Sequence, residues 1–244
     1  MRQILLAILI VAFAHQMVLL AADEPKGAAK FVERAGIELA KTQKLLKLDK
    51  DFTIELLAKW QPGTVYLAGD EAWPGMSEHV KASESSGWVL RTKTNGNKET
   101  LDFSVATKEK DWISLKGDIP VKRPEWNHVA IGRKKDVLTL FFNGVTVAQS
   151  PLGGFTLVES PTPMYLGVRD HAWVDRRMNG YIARFGVSQT FRFPQGPKPG
   201  LTFKNDKQTL LLLSLDGQQG GVVNDLTGNG HLGVLRDAEI VHVE

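Results

Sequence analysis

The sequence predicts an all-β protein built as an antiparallel sandwich of two sheets, and three observations predict this fold class. Residues 137–142 are β-branched, leucine or aromatic, and Asn143-Gly144 then supplies the positive φ values of a two-residue type I′ hairpin turn before residues 145–147 return. Short β-prone runs recur along the chain between turn-forming residues. Hydrophobic residues form 43% of the 244 positions, which is enough to bury the core of one such sandwich.

Residues 1–22 have the features of a secretory signal peptide. Arg2 gives a positively charged start, residues 4–14 form an apolar stretch, and small residues suited to cleavage follow. A membrane anchor is the competing interpretation, because residues 18–20 are again apolar. The polar residues at 15–16 interrupt that stretch, and a span needs about 20 apolar residues. We therefore expect an exported protein with no stable membrane span after cleavage of the signal.

Composition excludes several kinds of chemistry. The chain has no cysteine, so disulfides, thiol catalysis and cysteine-bound zinc are ruled out. Without Arg2 the remaining chain has 29 basic and 27 acidic residues (30 − 1 and 27), a net charge of +2. The basic residues are scattered rather than clustered, which predicts no nucleic-acid partner.

The start of the mature chain is open to two interpretations. Residues 23–35 are taken as a lead-in before the folded domain. Several apolar residues between 31 and 48 fit one face of a helix. Gly36 interrupts that helix, and Ile37 and Leu39 alternate with polar neighbours, as in a strand. We therefore predict strands from about residue 36 onward.

Residues 51–56 alternate strictly between polar and apolar side chains. Because successive residues of a strand face opposite sides, the apolar ones are predicted to face the core, and Thr53 and Glu55 to lie on a solvated face. Further strands are predicted at residues 65–68, 88–92, 101–106, 112–115, 163–168 and 181–187.

The segment around the hairpin also resembles a known family. Trp126, His128 and Val129-Ala130, followed by an apolar strand and Asn143-Gly144, are similar to the WxHVA…lyvNG pattern of laminin-G-like, concanavalin A-like domains. The resemblance implies an antiparallel two-sheet jelly-roll sandwich. It leaves the ligand open, since this fold carries lectins, glycanases, protein-binding modules and spacers.

The C-terminal region has an unusual place in the order of strands. Residues 209–215 form a continuous apolar run, expected to be buried on both faces, and the following residues resemble the opening of a laminin-G-like domain. One explanation is a second domain that is truncated. A stub of about 35 residues cannot bury its own strands. We therefore predict a single domain over residues 36–244, in which strands 209–244 take the place of the usual opening strands.

The sequence contains no motif that predicts catalysis. Residues 228–233 match G-x-G-x-x-G, but the chain ends before the acidic residue that a dinucleotide site needs, so turn formation is the better explanation. The paired glutamates of glycanases on this fold are absent, and His128 is expected to make a structural hydrogen bond. The prediction is a non-catalytic module that binds a glycan or an extracellular protein. A divergent glycan hydrolase or lyase and a purely structural cell-surface module are the alternatives.

Two long loops, residues 69–87 and 169–180, are the predicted binding site. Each carries a tryptophan and a histidine beside charged residues, and an aromatic ring can stack on a sugar while charged groups bind its hydroxyls. The alternative is that the two tryptophans pack beneath their own loops. The candidate ligand-binding residues are Trp73, His79, Arg169, His171, Trp173 and Arg176.

Calcium is a further candidate ligand of the same loops. Carboxylates are its preferred protein ligands, and laminin-G-like domains often bind one calcium at a loop rim. The candidate metal ligands are Asp70, Glu71, Asp170 and Asp175. No spacing signature accompanies them.

Overall fold

A computed structural model describes residues 24–72, 84–120, 125–167, 178–193, 203–216, 218 and 220–243. These residues form strands, turns and irregular segments, and none of them lies in a helix that could cross a membrane. The strands are β1 (Gly27–Phe31), β2 (Gly36–Ala40), β3 (Phe52–Trp60), β4 (Val65–Gly69), β5 (Trp88–Asn95), β6 (Lys98–Ala106), β7 (Trp112–Ile119), β8 (Asn127–Lys134), β9 (Val137–Phe142), β10 (Val145–Pro151), β11 (Met164–Leu166), β12 (Gly180–Ser188), β13 (Thr209–Ser214), β14 (Val222–Asn224), β15 (Leu232–Arg236) and β16 (Glu239–His242).

In the described part of the chain the strands form two antiparallel eight-stranded sheets, as the sequence predicts. The first sheet has the order β10-β9-β8-β3-β12-β1-β16, and β13 also pairs with β12, beyond the end of β1. The second has the order β14-β15-β2-β11-β4-β5-β6-β7. One apolar core fills the space between the sheets, and Phe52, Ile54 and Leu56 of β3 are fully buried in it.

The central hairpin has the predicted turn. Asn143 and Gly144 have φ values of 47° and 83°. The side chain of Asn143 fixes the turn to β8, because its Oδ1 accepts a hydrogen bond from the His128 backbone N at 2.8 Å and its Nδ2 donates to Asn127 Oδ1 at 2.9 Å. The preceding turn is short: β8 continues through Lys134, and Lys135, with φ 54°, and Asp136 lie between the strands.

The assignment of residues 23–35 to a lead-in is wrong for residues 27–31. These residues form β1, which lies between β12 and β16 in the first sheet, and Ala28, Ala29 and Phe31 are fully buried. The small, weakly β-prone residues of this strand gave little sequence signal. Pairing on both edges fixes them instead, because tertiary contacts outweigh intrinsic β-propensity.

The C-terminal strands contribute to both sheets. β13 pairs with β12, which pairs in turn with β3, and β15 pairs with β2. The end of β13 adjoins the start of β1, where the Gly27 N donates to Asp216 Oδ1 at 2.7 Å. Gly228 and Gly230 adopt positive φ in the connection between β14 and β15, so the glycine motif there turns the chain into a strand rather than into a helix.

The prediction that β3 has a solvated face is also wrong. Thr53 is fully buried and Glu55 is 2% exposed, because the chain after β12 folds back across the outer side of the first sheet. We call Phe191, Phe193 and Phe203 of this part of the chain the phenylalanine cover. Beneath it, Glu55 Oε2 lies 3.1 Å from Nε2 of His128, a side chain that is 1% exposed. The hydrogen bond expected for His128 is therefore made to a buried carboxylate.

Candidate functional site

The outer side of the second sheet carries a polar patch on its last three strands. The inward residues of β6 are the apolar Leu101, Phe103 and Val105, so the residues between them point outward. Strand register places Arg91 of β5 opposite Asp102 of β6, and Asp102 opposite Lys116 of β7. The same register aligns Val89, Ser104 and Ser114 in a second outward row.

A hydrogen-bond network joins these side chains. The Nε and Nη2 of Arg91 donate to Asp102 Oδ2 at 3.3 and 3.1 Å, and the Nη2 also reaches Ser104 Oγ at 3.3 Å. Ser104 Oγ donates to Asp102 Oδ1 at 2.9 Å and lies 2.8 Å from Ser114 Oγ. Asp102 and Ser104 are buried and Ser114 is exposed, so the network runs from the sheet to the solvent.

Three members of this network, Arg91, Ser104 and Ser114, form the floor of an open groove with a volume of about 1030 Å³. Asp102 is buried and does not line the groove, but it holds Arg91 and Ser104 through hydrogen bonds. Glu84 and Ser85, next to the bridge that joins Ala72 to Ser86, form one wall. Residues 107–112 form the other wall, and they include the half-buried indole of Trp112. The groove therefore combines an aromatic side chain, hydroxyls and both signs of charge on a rigid sheet.

The wall at residues 107–112 is held by contacts with the segment before β11. Thr156 N donates to Glu109 Oε2 at 2.8 Å, and the hydrogen bonds from Thr156, that of its backbone first, lower the pKa of Glu109. The Nζ of Lys110 lies 5.0 Å from the ring centroid of Phe155, a cation–π contact. Thr107 caps the turn by accepting a hydrogen bond from Lys110 N at 2.9 Å.

The predicted binding residues lie outside the described part of the chain. They are Trp73, His79, Arg169, His171, Trp173 and Arg176, and the same holds for the candidate metal ligands Asp170 and Asp175. The two remaining metal candidates are described and buried. Asp70 Oδ1 accepts a hydrogen bond from Trp88 N at 2.9 Å, and Glu71 Oε2 accepts one from the Tyr66 hydroxyl at 2.9 Å.

The described stems of the two predicted loops leave the sandwich in different directions. Ala72 and Ser86 exchange backbone hydrogen bonds at 2.9 and 2.7 Å at the base of the first. Met178 N donates to the Gly167 carbonyl at 3.2 Å at the base of the second. The loops follow β4 and β11, and because these neighbouring strands are antiparallel, their carboxyl ends point in opposite directions. Only the first stem adjoins the groove.

The carboxylates and histidines among the described residues do not form a metal centre. No three of them come close enough together to hold a metal ion within those ranges. Asp70 and Glu71 act there as acceptors for the framework of β4 and β5. A calcium site formed by Asp70, Glu71, Asp170 and Asp175 stays a prediction.

The sequence predicts the three strands of the groove but not the groove itself. The signal was present in the alternation of β6, where Asp102 and Ser104 separate the apolar residues 101, 103 and 105. Such alternation marks an outward face but not its partners. Only strand register places Arg91 and Ser114 beside these residues.

Comparison with known proteins identifies the family. A family model described as the concanavalin A-like lectin/glucanases superfamily matches residues 34–195. No protein with a curated description matches the chain in sequence.

Solved structures share the fold at low sequence identity. A candidate carbohydrate-binding protein of Bacteroides ovatus superposes with a TM-score of 0.66 at 19% identity, over 90% of this chain and 60% of its own. The chain thus spans about three fifths of that protein. The heptameric SAP-like pentraxin of Limulus polyphemus superposes with a TM-score of 0.57 at 11% identity, over 88% of this chain and 97% of its own. The matched model covers well over half of the sequence, and the chain belongs to the concanavalin A-like lectin/glucanases superfamily.

Proposed function

We propose that this protein is an exported, non-catalytic module that binds a glycan in the groove formed by β5, β6 and β7. The single observation that carries the proposal is the floor of that groove, formed by Arg91, Ser104 and Ser114 and held from behind by Asp102, with Trp112 in the wall. Export rests on the predicted signal peptide at residues 1–22.

The chemistry of the groove suits a sugar. A pyranose presents hydroxyls that both donate and accept, together with an apolar face of C–H groups. Arg91 supplies donors, and Ser114 supplies an acceptor oxygen, because its hydrogen is directed to Ser104, which donates to Asp102. The indole of Trp112 offers an aromatic surface for the apolar face. Because the floor residues lie on paired strands and bind one another, little conformational entropy is lost when a ligand binds.

Two carboxylates at the groove, those of Glu109 and Asp102, lack the properties that glycoside hydrolysis needs. A glycosidase needs a carboxylic acid with a raised pKa to protonate the leaving group. Glu109 has a lowered pKa, caused by its hydrogen bonds with Thr156, and therefore stays ionised. Asp102 is held by hydrogen bonds from Arg91 and Ser104. A divergent hydrolase or lyase remains the alternative, and release of reducing ends or unsaturated sugars from a bound glycan would support it.

The family relation agrees with this proposal. The Bacteroides ovatus protein, described as a candidate carbohydrate-binding protein, shares the fold over 90% of this chain. Because its sequence identity to this chain is low, the match shows a shared fold and not a shared ligand. A purely structural module, the other alternative from the sequence, would not require a polar groove of this kind.

The test is a glycan array with purified protein, followed by calorimetry of each hit with matched tryptophan variants. Trp112→Ala is expected to weaken binding about tenfold through loss of ring stacking. Trp126→Ala is the control, because Trp126 is also half-buried and does not line the groove. The proposal would be rejected if Trp126→Ala weakened binding as strongly as Trp112→Ala. It would also be rejected if the protein bound no glycan on the array.

A further inference from the structure

The charged side chains of the groove are balanced in sign. Of the described residues that line it, three are basic and three are acidic, and Asp102 is buried beside Arg91. The basic residues are Arg91, Lys108 and Lys110, and the acidic ones are Glu84, Glu109 and Asp111. No excess of positive charge is present in this lining to attract an anionic polymer.

The central cation is also already neutralised. Arg91 binds Asp102 through two of its nitrogens, and the Asp102 side chain is only 10% exposed. Lys116 approaches the same carboxylate, with its Nζ 4.0 Å from Asp102 Oδ2. Together with Lys116 and Asp102, the residues at the groove include four basic and four acidic groups, so a sulfate or carboxylate at Arg91 meets no net positive charge.

The hydrogen-bonding capacity of the floor leads to the same conclusion. Sulfate and carboxylate groups only accept hydrogen bonds. They match Arg91 but offer no hydrogen to the Ser114 hydroxyl on the floor. Ser104 Oγ donates to Asp102, so the hydrogen between the two serines comes from Ser114, whose oxygen is left to accept from a ligand. Neutral sugar hydroxyls can donate to Ser114 Oγ and accept from Arg91.

We infer that the ligand class of this groove is an uncharged glycan rather than a uronic-acid or sulfated one. This inference rests on the proposed function and specifies it. Arg91 and Asp102 act together as a specificity-determining pair. Arg91 lines the groove, and Asp102, which is buried beside it, cancels the charge that would otherwise attract an anionic sugar.

The experiment compares matched ligands. Binding to dextran and dextran sulfate, and to methyl-esterified and free polygalacturonate, is measured by affinity electrophoresis, beside the neutral and acidic oligosaccharides of an array. We expect binding only to uncharged members, with an affinity that changes less than twofold between about 50 and 300 mM salt because no ion pair is formed with the ligand.

A charge-switching variant makes the test independent of the particular sugar. Asp102→Asn is nearly isosteric and is expected to weaken neutral-glycan binding about tenfold, because Arg91 loses the charged acceptor that holds it in place. The same change should increase binding to the anionic members, because Arg91 loses its counter-ion. Glu38→Gln, in the ion pair with Arg236 on the same face of the sheet, is the control and should change neither.

The two proposals fail in different ways. Tighter binding to the anionic members by the wild type, lost at high salt and abolished by Arg91→Ala, would overturn the inference and leave glycan binding intact. Absence of binding to every neutral and acidic ligand would overturn the proposed function itself.

Discussion

The outer side of each sheet carries an acid–base pair that joins two adjacent strands. The pair is Glu55 and His128 on the first sheet, and Asp102 and Arg91 on the second. The first pair is almost completely buried, with side chains 3% and 1% exposed. The second opens to a groove, with side chains 10% and 28% exposed. Strand alternation assigns both pairs to outward positions, and nothing in β3, β6 or β8 distinguishes them.

The difference comes from residues far along the chain. The ring of His128 lies 6.0 and 5.6 Å from the ring centroids of Phe193 and Phe203, which close the outer side of the first sheet. No described segment covers the second pair in this way. An outward position in a strand is thus solvated only where no other part of the chain packs upon it. The contrast between the covered face and the open face can be tested in four ways.

The largest effect is expected at the buried pair. Glu55→Ala should lower the free energy of unfolding by about 3 kcal/mol, because a buried pair that loses one partner leaves the other without compensation. The double variant Glu55→Leu, His128→Leu should recover most of this loss, since apolar residues can replace a buried pair. Urea denaturation measures both. A loss of less than about 1 kcal/mol in Glu55→Ala would mean that this face is solvated.

The open pair should show the opposite balance between stability and binding. Asp102→Ala is expected to lower the free energy of unfolding by only about 1 kcal/mol, because the Arg91 side chain left behind can reach water. Glycan binding should nevertheless be lost. Urea denaturation and calorimetry on the same protein separate the two effects. Equal stability losses for Asp102→Ala and Glu55→Ala would remove the distinction between the two faces.

A smaller, pH-dependent effect is expected at the base of the phenylalanine cover. Hydrogen bonds from Arg192, and then from Gln208 N, hold the pKa of Asp206 well below its ordinary 3.8. A depressed pKa stabilises the fold above pH 3.8, and this contribution is lost as the pH falls toward the folded-state pKa. Because Asp206 is exposed, Asp206→Asn should cost less than about 1 kcal/mol at pH 7.

Denaturant titrations of the wild type and Asp206→Asn at pH 7 and at pH 2.5 measure this contribution. We expect the difference in the free energy of unfolding to shrink at the lower pH. A difference that grows on acidification would contradict the assignment to Asp206 and Arg192.

The smallest effect concerns the two loops predicted from the sequence. Trp73 directly follows Ala72 at the stem beside the groove, so Trp73→Ala is expected to weaken glycan binding about threefold, less than the loss of a full stacking contact. A joint two-loop site predicts an equal loss in Trp173→Ala, whereas the groove alone predicts none. Calorimetry with and without a calcium chelator decides between them. Sensitivity to the chelator would support the ligands Asp70, Glu71, Asp170 and Asp175.

Local sequence patterns predicted most strands of the sandwich but not the groove. Asn143-Gly144 and the alternation of β3 predicted a turn and a buried face, because both depend on neighbouring residues. β1 was not predicted from the sequence, because its position depends on pairing with β12 and β16 rather than on its own small residues. The burial of Glu55 and the pairing of Arg91 with Asp102 depend on long-range packing and register. The prediction of a binding site on the two loops rested on their aromatic residues, and it stays a prediction.

The two ends of the described chain leave the sandwich side by side. Val243 N donates to the Lys26 carbonyl at 3.1 Å, and the β1–β16 ladder starts at the neighbouring pair, Gly27 and His242. Hydrogen bonds in an antiparallel ladder lie perpendicular to the strands. Tension applied through these ends would therefore open the bonds between β1 and β16 one after another, as in a zipper, instead of shearing them together. Under mechanical load the module should yield first at this seam, while the groove at the far edge of the other sheet keeps its shape.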